Sequence, residues 1–147
     1  MTAPAKDQAE HGWSAAKAEQ QASYERKKTA DVIWMNGKLV PWASATVHVM
    51  THALHYGSSV FEGMRAYDTP RGPALFRARE HVRRLRDSAR IYRMDLPFDE
   101  AELVDACRAA VRENGLASAY LRPCRKRSSS GPMTGAMTEN GSMVTAR

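Results

Sequence analysis

Two residues of one apolar segment have the chemistry of a receptor for an anionic substrate. Arg122 lies in the strand-like run Ala119-Tyr-Leu-Arg-Pro123. Because burying an unpaired charge is costly, an arginine flanked by apolar residues predicts an anionic partner. Tyr120 shares the face of Arg122, since side chains alternate along a strand with a period of two. Tyr120 and Arg122 together are therefore a candidate receptor for a carboxylate.

A second group of cations opens a predicted helix, in the run Arg79-Glu-His-Val-Arg-Arg-Leu85. Arginine binds phosphate well because its planar guanidinium donates two parallel hydrogen bonds. A basic helix face is, however, more often only a solvated face. The residue types alone leave both interpretations open.

Three histidines have a spacing that could bind zinc. His48, His52 and His55 would share one face of a helix, and imidazole is a common zinc ligand. No well-placed carboxylate or thiolate completes the set, and Val47 and Val49 favour a strand around the first histidine. We therefore assign no metal site.

The segment from His52 to Tyr67 is aromatic and rich in glycine. Tyr56 and Phe61 could wall an apolar pocket, and glycine allows a ligand to approach the backbone closely. A packed turn and strand would explain the composition equally simply, because aromatic residues bury well anywhere.

The elements that must position these residues can be read from turn signals and periodicity. Asn36-Gly37 between two apolar runs predicts a hairpin, with Pro41 at a sheet edge. Five further elements follow the hairpin: a short half-buried strand at 47–50, a helical turn at 51–56, strands at 62–68 and 74–76, and a helix at 77–93 that buries Val82, Leu85, Ala89 and Tyr92. A second helix begins at the N-cap Asp99, forms a capping box with Glu102, and buries Leu103, Cys107, Ala110 and Val111. With a last strand at 119–122, this order predicts an α+β fold, an antiparallel-rich sheet with helices on one side.

Length and composition indicate one soluble domain. The chain has 147 residues, of which 26 % are charged and 43 % hydrophobic, and no apolar run approaches a membrane span. Two cysteines are too few for a disulfide framework, which favours a cytoplasmic location. We divide the chain into a polar extension at 1–30, predicted to be disordered, a folded domain at 31–123, and a tail at 124–147 without helix or strand periodicity. Of the net charge of +6, +3 lies in that tail, so we predict neither a nucleic-acid nor a membrane partner.

The run His52-Ala-Leu-His-Tyr-Gly-Ser-Ser-Val-Phe-Glu-Gly-Met-Arg65 strongly resembles the signature of branched-chain amino-acid aminotransferases, which are fold-type IV pyridoxal-phosphate enzymes. The resemblance is collinear over about residues 31 to 123. It includes Trp34-Met-Asn-Gly37, Val47-His-Val-Met50, Phe76-Arg-Ala-Arg-Glu-His81, Arg84-Leu85, Asp87-Ser-Ala89 and Ala119-Tyr-Leu-Arg-Pro123.

The resemblance implies roles for individual residues. Arg84 resembles the arginine that binds the phosphate of pyridoxal 5'-phosphate. Phe61 and Gly63 resemble residues that line the pocket for the branched side chain, and Arg65 resembles an arginine near it. Tyr120 and Arg122 resemble the pair that binds substrate carboxylates. Tyr56 resembles a tyrosine that reaches the pocket across the interface of a homodimer.

The implied reaction passes the amino group of leucine, isoleucine or valine to 2-oxoglutarate. A lysine must hold the cofactor as a Schiff base, and no lysine of this sequence lies in the matching context. We assign no catalytic residue and expect the isolated chain to be inactive. We also expect residues 124–147 to be an out-of-frame or mispredicted end, because the resemblance stops abruptly.

Three alternatives stay open. A related fold-type IV enzyme, such as a D-amino-acid aminotransferase or an aminodeoxychorismate lyase, would share much of the motif. A basic binding module would use the charged helix and tail but lacks a recognised reader motif. A non-catalytic dimerisation partner would need only the interface.

Overall fold

The computed structural model describes residues 30–127, the backbone of residues 142–146, and the isolated positions 15, 17 and 18. Within these residues a seven-stranded sheet is antiparallel throughout, in the order β2-β1-β7-β6-β4-β5, with β3 paired to β6. The strands are β1 (Val32–Met35), β2 (Lys38–Pro41), β3 (Ser59–Phe61), β4 (Met64–Tyr67), β5 (Ala74–Leu75), β6 (Ala119–Lys126) and β7 (Ser142–Ala146). The helices are α1 (His52–Tyr56), α2 (Ala78–Ile91) and α3 (Glu100–Arg112), with a 3-10 turn at Trp42–Ser44.

The main core lies between the helices and one face of the sheet. Val82 of α2 and the buried stripe of α3 pack with buried residues of β1, β4 and β6, among them Trp34, Met64 and Leu121. Because the other face of β6 is exposed, the arrangement confirms the predicted α+β class with helices on one side.

The hairpin forms as predicted. β1 and β2 pair from Val32 opposite Pro41 to Met35 opposite Lys38. Asn36 and Gly37 have φ values of 51° and 91°, the left-handed conformation that a type I′ turn requires. β2 is an edge strand, which suits the missing N–H of Pro41.

The two long helices largely follow the predicted pattern. Asp99 accepts a hydrogen bond from the backbone N–H of Glu102 at 2.8 Å, and the Glu102 carboxylate accepts one from the Asp99 N–H at 2.7 Å. This confirms the capping box. Tyr92 is an error of the prediction, because α2 ends at Ile91 and Tyr92 is exposed at its C-cap. A side chain beyond the last turn no longer follows the helical period.

The strand predicted at residues 47–50 is absent. This segment lies outside β1–β7, and Val49 is exposed. The backbone N–H of Met50 donates to Nδ1 of His48, and the N–H of Thr51 donates to the His48 carbonyl. These local bonds close a turn and take the place of a strand ladder. Alternation over four residues is too short a pattern to distinguish the two.

The boundary predicted at residue 123 and the structureless tail also need correction. β6 continues through the boundary to Lys126, and residues 142–146 form β7 between β1 and β6. A strand paired on both sides has its backbone groups satisfied by its neighbours. Such a strand does not depend on apolar alternation, which is the signal that the tail lacks. The predicted extension at 1–30 lies almost entirely outside the described residues.

Asn114 joins the end of α3 to the start of β1. Its side-chain oxygen accepts from the N–H groups of Asp31 and Val32 at 2.6 and 3.0 Å. Its amide donates to the carbonyls of Val32 and Ala110 at 3.0 and 2.7 Å. Because Asn114→Ala removes these four hydrogen bonds, we expect it to lower the free energy of unfolding by about 1–3 kcal/mol in urea denaturation. Asn114→Asp keeps the acceptor and should lose less; equal losses for both variants would contradict this account.

Candidate functional site

The exposed face of β6 carries two of the predicted site residues. Ala119, Leu121 and Pro123 are buried, whereas Tyr120 and Arg122 lie on the opposite face. The predicted sharing of one face by Tyr120 and Arg122 is therefore confirmed. The burial argument for Arg122 is wrong, since its side chain is exposed.

Arg122 stacks on an aromatic ring. Its Cζ atom lies 4.0 Å from the centroid of the Phe61 ring, within the range of a cation–π interaction. Stacking occupies the face of the guanidinium and leaves its N–H edge available to an anion. Arg122 is thus held in place while its hydrogen-bond donors remain usable.

Strands β3 and β4 bring three further predicted residues to the same face. Phe61 pairs with Cys124, and Arg65 pairs with Tyr120. Gly63 lies in the connection between the two strands, directly beside the Tyr120 phenol. A Cβ atom added at Gly63 would lie 2.2 Å from the Tyr120 hydroxyl oxygen. Glycine is therefore required for this close approach.

A depression of about 470 Å³ opens beside this cluster. It is lined by Arg65, Tyr67, Ser118 and Tyr120, together with Ala66 and Ala119. Its walls combine aromatic surface with one cation and with hydroxyl groups that can donate hydrogen bonds. A small ligand with an apolar part and an anionic group suits this combination.

Arg84 lies on α2 and binds the carboxylate of Glu62 at two points. Its Nε donates to one carboxylate oxygen at 2.6 Å, and its Nη2 donates to the other at 2.5 Å. His81, one turn earlier on α2, places Nδ1 3.0 Å from the second oxygen. Glu62 is only 6 % exposed, so the sheet presents a buried carboxylate to one edge of the helix.

The electrostatics of this group favour the charged forms. Hydrogen bonding from Arg84 lowers the pKa of Glu62, against the opposing effect of burial and with a smaller contribution from His81. The same contact raises the pKa of Arg84. Glu62 is therefore an ionised carboxylate at neutral pH and can only accept hydrogen bonds.

The lowered pKa of Glu62 gives a pH dependence with a defined sign. A carboxylate with a folded pKa below its unfolded value stabilises the protein above the unfolded pKa. That stabilisation is lost as pH falls through the lower, folded pKa. We therefore expect the melting temperature of the wild type to fall more on acidification below pH 4.5 than that of Glu62→Gln. Parallel stability curves for the two proteins on acidification would contradict this.

Tyr56 is not brought to this face in a single chain. It ends α1 with its side chain 75 % exposed, and its ring contacts His52 and His55. Of the three histidines with a spacing that could bind zinc, His48 uses Nδ1 to accept a hydrogen bond from the backbone N–H of Met50. Among the residues that the structure describes, no cluster of histidine, cysteine or acidic side chains could hold a metal ion.

Glu62 and His81 contact the candidate site residue Arg84 or its partner and were not assigned from the sequence. Both were visible as signals, since Glu62 lies between Phe61 and Gly63 in the motif and His81 precedes Arg84 by one helical turn. Their role depends on α2 lying against the β3–β4 connection, which is a contact between residues about twenty positions apart.

The family model described as amino-transferase class IV matches residues 59–146. The chain therefore belongs to the class IV aminotransferases. The matched region includes the strand pair and helix that carry the site, and it extends past residue 123 to the end of β7.

Within this class, the chain is similar in sequence to curated branched-chain-amino-acid aminotransferases. The branched-chain-amino-acid aminotransferase of Salmonella typhimurium is 59 % identical over 96 residues, which are 65 % of this chain and 31 % of that protein. The protein of the same name from Pseudomonas aeruginosa is 60 % identical over 92 residues, 63 % of this chain and 30 % of that one. The chain thus spans about a third of the length of the relatives it matches.

Solved structures agree with the sequence comparison. The branched-chain amino acid aminotransferase from Escherichia coli has a TM-score of 0.74 at 48 % identity, over 81 % of this chain and 41 % of that one. The T.th. branched-chain amino acid aminotransferase complexed with N-(5'-phosphopyridoxyl)-L-glutamate has a TM-score of 0.74 at 44 % identity, over 82 % of this chain and 40 % of that one.

Proposed function

We propose that this chain provides the small-domain part of a branched-chain amino-acid aminotransferase site. One observation carries the proposal: the two predicted anion-binding arginines contact consecutive residues. Arg122 stacks on Phe61, and Arg84 binds Glu62. An apolar ring and two candidate anion receptors are therefore linked to two consecutive residues, Phe61 and Glu62, at the end of β3.

The proposed reaction is transamination of leucine, isoleucine or valine with 2-oxoglutarate. Phe61 and Gly63 provide the apolar slot for the branched side chain, because an aliphatic group gains most by leaving water. Arg122 and Tyr120 orient the substrate carboxylate, including the distal carboxylate of glutamate. Arg65, opposite Tyr120, adds positive charge at the same edge.

The residues present also fit the phosphate of pyridoxal 5'-phosphate. Arg84 uses two N–H donors on Glu62, and a guanidinium has five. The remaining donors suit a phosphate oxygen. When bound, the cofactor supplies the electron sink for the reaction. We assign no Schiff-base lysine in this chain, so we expect the isolated chain neither to hold the cofactor covalently nor to turn over substrate.

We further propose a homodimer in the intact enzyme and a cytoplasmic location. Leu54 and Tyr56 expose apolar surface on α1, which suits an interface that brings Tyr56 to a partner's pocket.

Cys107 is a core thiol whose pKa burial raises to about 12, so it packs as an unreactive apolar group. No helix in the described part of the chain is long and apolar enough to cross a membrane.

A chimera tests the proposal. Residues 31–123 of this chain replace the matching segment of the Escherichia coli K12 relative, which is 58 % identical over 96 residues. We expect this chimera to transaminate L-leucine with 2-oxoglutarate. Arg84→Ala and Arg122→Ala should each reduce kcat/KM by at least about tenfold. Arg83→Ala is the matched control, since Arg83 is the neighbouring arginine of α2 and pairs instead with Glu100 at the start of α3.

Two results would overturn the proposal. One is a folded chimera that holds the cofactor yet does not turn over L-leucine. The other is a preference for D-alanine, which would indicate a related class IV enzyme.

A further inference from the structure

The Glu62 carboxylate connects the helix that carries Arg84 to the strand segment that carries Phe61 and Gly63. Its backbone is fixed to the sheet, because its N–H donates to the Pro123 carbonyl at 3.0 Å. Its side chain is buried and receives hydrogen bonds from α2. Glu62 therefore sets where the Arg84 guanidinium lies relative to the pocket residues.

The hydrogen atoms around this carboxylate can be assigned from the chemistry of the groups. Glu62 is ionised and can only accept, so His81 Nδ1 carries a hydrogen and donates it over 3.0 Å. Nδ1 then cannot also accept from Arg84 Nη2, which lies 3.4 Å away. His81 thus leaves the outer donors of Arg84 unused.

The outer edge of Arg84 faces away from Glu62. Nε and one Nη2 hydrogen bind the carboxylate, which leaves both Nη1 hydrogens and the second Nη2 hydrogen. The Arg84 side chain is 66 % exposed. A guanidinium held by one edge presents its other edge in a fixed direction, and less side-chain entropy is lost when an anion binds.

We propose that Glu62 is a positioning residue for the phosphate site. It fixes the guanidinium of Arg84 through the two-point contact, and His81 donates a hydrogen bond to the second oxygen of the Glu62 carboxylate. This inference rests on the proposed function, because it takes the phosphate of the cofactor as the ligand of Arg84. Glu62 itself does not touch the phosphate.

Simple electrostatics predicts the opposite effect for loss of the carboxylate. A negative charge next to Arg84 repels a phosphate, so Glu62→Gln would strengthen phosphate binding if charge alone mattered. If Glu62 acts by positioning, Glu62→Gln instead weakens binding, because the guanidinium is no longer fixed. The sign of the change therefore separates the two accounts.

The experiment uses the full chain and pyridoxine 5'-phosphate, which has no aldehyde and cannot react with surface lysines. Affinity is measured by titration calorimetry, with pyridoxine as the ligand that lacks the phosphate. We expect Glu62→Gln to weaken phosphate-dependent binding about tenfold, as loss of a charged hydrogen bond does. Glu100→Gln is the matched control, because Glu100 of α3 pairs with Arg79 and Arg83, which lie on the same helix as Arg84. This substitution should leave affinity unchanged.

A double-mutant cycle and a spectroscopic signal separate positioning from a structural role. Glu62→Gln should have no further effect on affinity in an Arg84→Ala background. The NMR resonance of the Arg84 Nε–H, identified by its loss in Arg84→Lys, should shift in Glu62→Gln and stay unchanged in Glu100→Gln. An effect that persists in the Arg84→Ala background would overturn the inference.

The two hypotheses fail in different ways. Equal binding of pyridoxine 5'-phosphate by wild type and Arg84→Ala would overturn the phosphate role of Arg84 in the proposed function, and the positioning role with it. Arg84-dependent binding that Glu62→Gln leaves unchanged or strengthens would overturn only the role of Glu62.

Discussion

Replacing Arg125 with methionine is expected to raise the free energy of unfolding by about 1–4 kcal/mol. Arg125 is 2 % exposed and lies on the core face of β6 opposite Val60. Its Nε and Nη1 have no hydrogen-bond partner among the residues that the structure describes. Burial lowers the pKa of Arg125, and an attraction to Asp95 offsets this only in part. Methionine keeps the length and apolar contacts of the stem without burying a charge.

Two control variants isolate the effect of the charge. Arg125→Lys keeps a buried cation and should give no gain in stability. Arg90→Met removes an exposed arginine paired with Asp87, and exposed pairs contribute little. Urea denaturation of the four proteins measures the differences. A stability of Arg125→Met equal to or below that of the wild type would contradict this account.

Gly63→Ala is expected to reduce kcat/KM for L-leucine in the chimera by about one hundredfold, while changing stability by less than about 1 kcal/mol. The added Cβ would lie 2.2 Å from the hydroxyl oxygen of Tyr120. Tyr120 is 38 % exposed, so its ring can swing toward solvent at small cost to the fold. A carboxylate-binding group displaced by about 1 Å can lose two orders of magnitude in rate.

Two further variants distinguish this contact from a general effect of losing a glycine. Gly115 has a φ of +60° and nothing within 4 Å of an added Cβ, so Gly115→Ala should cost stability and leave kcat/KM unchanged. Tyr120→Phe removes the atom at 2.2 Å and keeps the ring carbons at 3.0 and 3.2 Å, so Gly63→Ala should cause a smaller loss in a Tyr120→Phe background. Equal losses from Gly63→Ala in both backgrounds would show that the Tyr120 contact is not the cause.

The local elements were the most predictable part of the fold. Asn36-Gly37 specified the hairpin and Asp99 with Glu102 specified the start of α3, because these signals act between residues that are near in sequence. Tyr92 and the segment 47–50 were misassigned where a periodic pattern was extended over residues that lie outside any regular element.

The site was predictable only as a set of residue types. Period-two alternation placed Tyr120 and Arg122 on one face, and the family resemblance suggested roles for Arg84, Phe61 and Gly63. The pairing of Arg84 with Glu62 could not be derived from the sequence, since it depends on how α2 lies against the β3–β4 connection. The burial of the charged Arg125 side chain could not be predicted from the sequence either, because it follows from the extension of β6 past Pro123.

The hairpin turn, the helix cap, the shared face of Tyr120 and Arg122 and the chemical types available for binding anions could all be read from the amino-acid sequence. Each of these follows from backbone preference or side-chain spacing over a few residues. Tertiary packing set what each charged side chain contacts: Arg84 contacts Glu62, Arg122 contacts the Phe61 ring, and Arg125 lies in the apolar core. Whether a charged side chain forms an ion pair, stacks on a ring or is buried in the core depends on burial and distance. Both are set only when the sheet and helices pack together.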